Sequence, residues 1–303
     1  MKKINKITGK DYKPFNYYGV KDATKVIVAM GSVCETIKET IDAMIEDGEK
    51  IGLIEVHLYR PFSSNYLLKV LPKTVEKIAV LDRTKESGAN EPLYLDVVNV
   101  IKEHNANIKV IGGRYGLASK NTTPYQIKAV YDFLDREDCF NGFTIGIKDD
   151  VTNLSLEDKY IDTKKHDYEM LIYGFGSDGM VSASKDILKV TGENAKVFVQ
   201  GYFEYDSKKS GGITKSHLRF DRSLIRSTYY VEHPNLVVCT KDIYLKKLKM
   251  FDNIMENGIF LLNTTHSKEE VLDILTTHDK NIIKEKKING TASLYGDDSC
   301  YVL

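Results

Sequence analysis

Three stretches of the sequence have residue types and spacings suited to binding an anion. The first is GFGSDG at 174–179, which follows an apolar strand pattern and precedes a helical one. Glycines let the backbone approach a phosphate, and a helix N-terminus offers unpaired N–H groups. The spacing is not the GxGxxG of dinucleotide-binding folds. A structural strand-to-helix turn, with Ser177 or Asp178 as the N-cap, is therefore an equal alternative.

The second stretch is YDSKKSGG at 205–212, where Lys208 and Lys209 lie in a loop of serines and glycines. From Asp206 to Arg226 the chain has six lysines and arginines against two aspartates, although the whole chain has 43 basic and 43 acidic residues. Paired ammonium groups beside backbone donors suit a di- or triphosphate. A solvated turn is the alternative, and the Gly-Lys-Ser/Thr order of a Walker A loop is absent.

The third candidate is Asn263, which directly follows the apolar run 260–262. A polar residue at the carboxyl end of a strand lies where open α/β sheets bind ligands, so Asn263 could bind a ligand amide or ribose. A helix-capping role is at least as common for asparagine. The first half of the chain offers no convincing nucleophile, and the motifs HExxH and GxSxG are absent.

The composition excludes several classes of protein. The formal net charge is zero and the apolar runs are short, so neither a general nucleic-acid binder nor a membrane-spanning protein is expected. The first fifteen residues contain no apolar stretch of the kind that a secretory signal needs. The cysteines are far apart, which predicts reduced thiols in the cytoplasm and no metal or iron–sulfur site on this chain; they are Cys34, Cys139, Cys239 and Cys300.

Apolar runs alternate with helical patterns along the whole chain. This alternation predicts two wound, mainly parallel α/β domains in tandem. A charged, turn-rich stretch at 135–166 predicts the linker between them, with a surface excursion of one continuous domain as the alternative. The predicted strands lie at 25–30, 51–58, 77–81, 108–111, 168–173, 195–201, 216–220, 236–239 and 258–262. The predicted helices lie at 35–47, 66–71, 91–103, 124–134, 180–191, 243–256 and 268–276.

Several long runs together resemble the pyruvate:ferredoxin (flavodoxin) oxidoreductases, over about residues 8–280. They include VIVAMGSVCETIKETIDAM, IEVHLYRPFSSNYLLKVLPKTVEKIAVLDRTKESGA, YGFGSDGMVSASK, GYFEYDSKKSGGITKSHLRF and GIFLLNT. The resemblance implies a transketolase C-terminal-like domain at 1–135. It also implies a gamma-type, candidate coenzyme A-binding domain at 136–303.

The same resemblance implies a role and a set of contacts. The chain would contribute coenzyme A binding to the oxidative decarboxylation of pyruvate to acetyl-coenzyme A, in the cytoplasm or another reducing, anaerobic compartment, without being catalytic alone. Coenzyme A carries a diphosphate and a 3′-phosphate, which suit a helix N-terminus and paired cations. The implied contacts are Gly176, Ser177, Asp178, Gly179, Lys208, Lys209 and Asn263.

The sequence also departs from the family. Thiamine diphosphate and the [4Fe–4S] clusters are expected only on domains that this chain does not include, so ferredoxin or flavodoxin would be reached through the complete enzyme. The match fades near Ile288, which suggests a central fragment with a truncated second domain. Three alternatives stay open. They are a docking subunit of a split 2-oxoacid oxidoreductase, a decayed gene product, and a nicotinamide-dependent enzyme with Glu204 or Asp206 as the ribose acceptor.

Overall fold

The chain folds into two compact α/β units, each built on one sheet, as the sequence predicts. The first unit comprises Met1–Lys164 with Arg226–Tyr229, and the second comprises Lys165–Ile225 with Tyr230–Leu303. The structure, a computed structural model, describes residues 1–104, 107–148, 151–206, 212–294 and 300–302. Among the described residues, no helix has both the length and the hydropathy to cross a bilayer.

The first sheet has six strands in the order β1-β3-β2-β4-β5-β6. All neighbours are parallel except the edge strand β1, which is antiparallel to β3. The strands are β1 (Phe15–Gly19), β2 (Lys25–Ala29), β3 (Ile51–Val56), β4 (Lys77–Asp82), β5 (Lys109–Arg114) and β6 (Phe143–Thr144). The helices are α1 (Lys2–Thr8), α2 (Val33–Glu46), α3 (Ser64–Val70), α4 (Pro92–His104) and α5 (Pro124–Asp135).

Strand β2 shows why this half was predictable. All five of its residues are buried, with Val26 and Val28 in the core on one face and Ile27 in the core on the other. A parallel strand covered on both faces appears in the sequence as a continuous apolar run. Helix α2 buries Ile37 and Ile41 at helical spacing, so its hydrophobic periodicity also predicted the element correctly.

The first unit extends past the boundary predicted at residue 135. Strand β6 pairs with β5, and Ile161 is buried in the same core as α5. A stretch from the second half of the chain also belongs to this unit. The hydroxyls of Ser227 and Tyr229 each donate to the buried Glu39 carboxylate, at 2.7 Å. A buried carboxylate needs such donors, and no local pattern indicates them because they lie about 190 residues away in the sequence.

Close packing of β5 against β6 makes Gly113 intolerant of a side chain. A Cβ at Gly113 would lie 2.2 Å from the nearest ring atom of Phe143, which is fully buried. We expect Gly113→Ala to lower the free energy of unfolding by roughly 1–3 kcal/mol, because the ring has to shift in a packed core. Urea denaturation measures the change, and adding Phe143→Leu should recover part of it. An unchanged unfolding midpoint in Gly113→Ala would contradict this packing.

The second sheet has seven strands in the order β13-β12-β11-β10-β7-β9-β8. Neighbours from β12 to β7 are parallel, whereas β9 runs antiparallel between β7 and β8, and β13 is antiparallel to β12. The strands are β7 (Tyr168–Phe175), β8 (Phe198–Tyr205), β9 (Ile213–Asp221), β10 (Leu236–Cys239), β11 (Ile259–Thr264), β12 (Asn289–Leu294) and β13 (Cys300–Val302). The helices are α6 (Met180–Asn194), α7 (Lys268–Ile274) and α8 (Thr277–Glu285).

The helix predicted at 243–256 is wrong. The chain forms a short 3-10 helix at Asp242–Tyr244 and continues in turns to β11. Phe251 and Ile254 are nevertheless buried in the core beside Phe260, so the turns supply the apolar contacts that a helix would have made. Asn257, in a left-handed conformation at φ 60°, is a turn residue that ends any helical course before β11.

A buried histidine lies on the polar face of β9. Tyr230 stacks on the His217 ring with centroids 4.7 Å apart. The backbone N–H of Val231 donates to His217 Nδ1 at 3.1 Å, so the proton of the neutral ring belongs on Nε2, which lies 3.6 Å from a carboxylate oxygen of Glu204. Burial lowers the pKa of His217 from 6.5 to about 4, although the Glu204 charge acts in the opposite direction and Arg219 acts with burial.

This histidine makes the stability of the second unit depend on pH. The unfolded chain binds the His217 proton near pH 6.5, whereas the folded chain binds it only near pH 4. The contribution of the neutral His217 to the free energy of unfolding is therefore fully present above pH 6.5 and is lost as the pH decreases toward 4. We expect a loss of up to roughly 3 kcal/mol over this window. The measurement is the unfolding free energy of wild type and of His217→Gln at several pH values. Parallel pH profiles for the two proteins would contradict the assignment.

Candidate functional site

The glycine-rich turn joins β7 to α6 at the carboxyl end of the strand. Phe175 is the last strand residue and Met180 the first helical one. Gly179 has a φ of 86°, which glycine adopts without steric cost, and Ser177 has a φ of 74°, which is uncommon for a residue with a Cβ. The turn therefore uses the conformational freedom of Gly179 and holds Ser177 in a strained backbone conformation.

The Asp178 carboxylate stabilises this turn through hydrogen bonds to backbone N–H groups on either side of it. Its carboxylate accepts hydrogen bonds from the N–H of Phe175 at 2.6 Å and of Met180 at 2.9 Å. The Thr240 hydroxyl, which follows β10, donates to the same carboxylate at 3.3 Å. The carboxylate thus occupies two of the turn's donors and carries a negative charge, so Asp178 is suited to positioning the turn and not to contacting a phosphate directly.

Other donors of the turn are open. Within the described part of the chain, the N–H groups of Ser177, Gly179, Val181 and Ser182 have no hydrogen-bond acceptor. They lie at the start of the fifteen-residue helix α6, where the helix dipole adds positive potential. An anion at this end of α6 would find several donors directed toward it.

The turn forms one wall of a cleft of about 550 Å³. Ser177 and Ser182 line it from the turn and from the first turn of α6. Tyr205, Asp206 and Thr214 line it from the hairpin that joins β8 to β9. Two carboxylates, those of Asp178 and Asp206, border the cleft, and no lysine or arginine does so among the residues that the structure describes.

Both ends of the lysine-containing loop lie beside the turn. The N–H of Gly176 donates to the Gly212 carbonyl at 2.9 Å, and the N–H of Asp206 donates to the Ile213 carbonyl at 3.1 Å. The residues that flank segment 207–211, Asp206 and Gly212, therefore both lie at the cleft. Lys208 and Lys209, predicted as the cationic part of the site, lie outside the described residues, and their contact with a ligand stays a prediction.

Asn263 lies at the same edge of the sheet as the turn but is not among the residues that line the cleft. Parallel pairing aligns Tyr173, Cys239 and Leu262, so the residues that follow them share one edge. The Asn263 amide donates to the Thr240 carbonyl at 3.5 Å. Asn263 is thus linked to the turn through Thr240, and its contact with a ligand also stays a prediction.

Thr240 completes the site and was missed by sequence reasoning, whereas Gly174 and Tyr205 stand in the two predicted stretches without an assigned role. Thr240 follows the strand β10 just as Asn263 follows apolar residues of β11, so the same signal could have identified it. Gly174 admits no side chain, since a Cβ there would lie 2.8 Å from the Thr214 hydroxyl and 3.2 Å from the Asp178 carboxylate. Tyr205, the first residue of the second predicted stretch, is an exposed aromatic residue at the end of β8.

In the first unit, the polar groups at the strand ends are engaged in structural contacts. The Asp82 carboxylate accepts from the N–H of Leu93 and of Tyr94, both at 3.1 Å, and so caps α4; burial raises its pKa above the usual range. Burial also raises the pKa of the Cys34 thiol to about 12, which makes it a poor nucleophile at neutral pH. Among the described residues, no three His, Cys, Asp or Glu side chains are grouped as metal ligands would be.

Two family models match the chain, one in each half. Residues 23–127 match "Pyruvate:ferredoxin oxidoreductase core domain II", and residues 169–292 match "Pyruvate ferredoxin/flavodoxin oxidoreductase". The first match falls within the first unit and the second within the second unit, apart from the short stretch 226–229. These matches confirm the resemblance that the sequence predicted.

Individual relatives agree with the family models. The chain is 49% identical over 291 residues to the pyruvate:ferredoxin oxidoreductase of Moorella thermoacetica, and 44% identical over 292 residues to the pyruvate-flavodoxin oxidoreductase of Enterobacter agglomerans. Each alignment covers 95% of this chain and 25% of the relative, so the chain spans about a quarter of the length of these curated relatives.

A solved structure with some similarity is the pyruvate oxidoreductase subunit PORC from Thermotoga maritima. It is 25% identical, with a TM-score of 0.32, and the alignment covers 43% of this chain and 62% of that one. A TM-score of this size is too low for the similarity to support an argument about the site.

Proposed function

We propose that this chain, which belongs to the pyruvate:ferredoxin (flavodoxin) oxidoreductase family, binds coenzyme A for the oxidative decarboxylation of pyruvate to acetyl-coenzyme A. One observation carries the proposal. The open N–H groups of the turn and both ends of the Lys208–Lys209 loop border the same cleft. Coenzyme A presents a diphosphate and a 3′-phosphate, and each needs donors or cations of this kind.

The turn and the loop contribute to binding in different ways. The N–H groups of Ser177 and Gly179 and of the first turn of α6 bind phosphate oxygens, while Asp178 and Thr240 hold the turn in shape. The carboxylates of Asp178 and Asp206 would repel a polyanion, so the cleft depends on Lys208 and Lys209 to balance them. Coenzyme A binding is therefore expected to weaken as ionic strength rises.

The rest of the reaction is assigned to other parts of the family's enzyme. The first unit is proposed to be the transketolase C-terminal-like domain and the second the gamma-type domain. Thiamine diphosphate, the [4Fe–4S] clusters and the pyruvate site would lie on domains outside these two units, and electrons would pass from there to ferredoxin or flavodoxin. In this scheme the chain contributes no catalytic residue and is inactive alone.

Isothermal titration calorimetry of the full chain tests the proposal. We expect one coenzyme A per chain and about tenfold weaker binding of dephospho-coenzyme A, because a charge-assisted contact to the 3′-phosphate is lost. Pantetheine, which lacks all phosphates, is the control and should not bind. If neither coenzyme A nor dephospho-coenzyme A binds the folded chain, the proposed function is wrong.

A further inference from the structure

Tyr205 presents an unstacked aromatic ring to the cleft. It is the last residue of β8, and its side chain is 59% exposed although it lines the cleft together with Val181 and Ser182 of α6. Among the described residues, no aromatic ring and no cation lies against the Tyr205 ring. Its ring face is therefore available to a ligand.

Two other exposed tyrosines of this chain, Tyr202 and Tyr160, are supported by a second ring. Tyr202, three residues earlier on the opposite face of β8, packs against Tyr230 with centroids 5.3 Å apart. Tyr160, which is 79% exposed, stacks on Tyr125 at 6.2 Å. Tyr205 lacks such a partner in the described part of the chain, and unlike these two it borders the cleft with the open N–H groups.

We propose that Tyr205 is the platform on which the purine ring of the ligand stacks. The inference rests on the proposed function and assigns one part of the ligand to each wall of the cleft. The phosphates bind at the Ser177–Gly179 turn, and the base stacks at the hairpin. A nucleotide joins a polyanion to a planar ring, and this cleft offers donors and an exposed aromatic side chain at once. The pantetheine arm has no planar ring to stack, so it is expected to lie outside this contact.

Phe175 is the competing ring in the cleft. It lines the same space and is 38% exposed. Its backbone N–H is held by Asp178 inside the turn, and it lies at the phosphate end of the cleft. Tyr205 is more exposed and lines the cleft from the hairpin instead of from the turn.

Binding of three ligands to Tyr205 variants tests the proposal. We expect Tyr205→Ala to weaken coenzyme A and ADP roughly tenfold, because base stacking on an aromatic ring is lost, and to leave 4′-phosphopantetheine unchanged. Tyr205→Phe keeps the ring and should bind coenzyme A within about twofold of wild type. Tyr66→Ala, at a 51% exposed tyrosine in the first unit, is the matched control.

A fluorescent variant reports the stacking contact itself instead of the dissociation constant. The chain contains no tryptophan, so Tyr205→Trp introduces a single indole. Stacking of adenine on that indole should quench its emission with ADP and with coenzyme A, and 4′-phosphopantetheine should not quench it.

The outcomes separate this inference from the proposed function. If wild type binds coenzyme A but Tyr205→Ala binds it equally well, Tyr205 is not the platform and the proposed function stands. A loss confined to Phe175→Ala would assign the ring to Phe175 and overturn the inference in the same way. If wild type does not bind coenzyme A, both proposals fail.

Discussion

Replacing Lys208 and Lys209 together with alanine is expected to raise the dissociation constant for coenzyme A about 100-fold or more. Each lysine would contribute a charge-assisted bond to phosphate, and hydrogen bonds to charged groups contribute about 1.5–3 kcal/mol each. The double variant also leaves the carboxylates of Asp178 and Asp206 beside the polyanion without compensation from this loop. Calorimetric titration of coenzyme A into both proteins measures the effect.

The chain offers a matched control for this pair. Lys246 and Lys247 are consecutive in sequence like Lys208 and Lys209 and belong to the second unit. Both are exposed, and neither is among the residues that line the cleft. Their replacement with alanine removes the same charge and should change the dissociation constant less than about threefold, because exposed charges that do not contact the ligand are screened by solvent and salt. Equal losses in the two double variants would show that only net charge matters and would contradict a specific role for Lys208 and Lys209.

Arg219→Leu is expected to lower the free energy of unfolding of the second unit by about 3–5 kcal/mol, because it leaves the Glu169 carboxylate, whose side chain is only 15% exposed, without its cation. The Arg219 side chain is only 2% exposed, and its Nε donates to Glu169 at 2.6 Å. Its remaining nitrogens donate to the Gln200 side chain and to the Tyr230 carbonyl. All of these acceptors lose their donor at once in the variant. Chemical denaturation measures the loss.

Arg222 supplies the comparison for this prediction. It also donates to a carboxylate, that of Asp167 at 2.8 Å, but its side chain is 81% exposed. Exposed ion pairs contribute about 0–1 kcal/mol, so Arg222→Leu should have little effect. Similar losses for Arg219→Leu and Arg222→Leu would contradict the account of the buried arginine.

The order of strands and helices was readable where burial leaves a periodic pattern. Strand β2 is buried on both faces and α2 on one, so each gave a clear signal. Between 243 and 256 the same reasoning failed. Tyr244, Leu248 and Phe251 have helical spacing, but the chain buries apolar side chains there through successive turns. Hydrophobic periodicity indicates which side chains face the core, and a series of turns can place those side chains in the core as well as a helix can.

Only part of the site could be predicted from the sequence, because the rest depends on the order of strands in the sheet. The turn at 174–179 is local and could be predicted from its glycines. Its anchor, the bond from Thr240 to Asp178, joins residues 62 positions apart. That contact exists because β10 is the neighbour of β7 on one side, while β9 and β8 lie on the other. No local pattern specifies that strand order, so neither the contact of Thr240 with Asp178 nor the approach of Gly212 to Gly176 could be foreseen.

The most direct test of the central claim is a map of backbone amide chemical shifts in the isotope-labelled chain as coenzyme A is added. Coenzyme A binding at this cleft predicts saturable changes that are largest at Ser177 and Gly179 and at the loop flanks Asp206 and Gly212, with the amides of the first unit unchanged. Saturable binding that leaves Ser177 and Gly179 unshifted, or that shifts mainly the first unit, would contradict it.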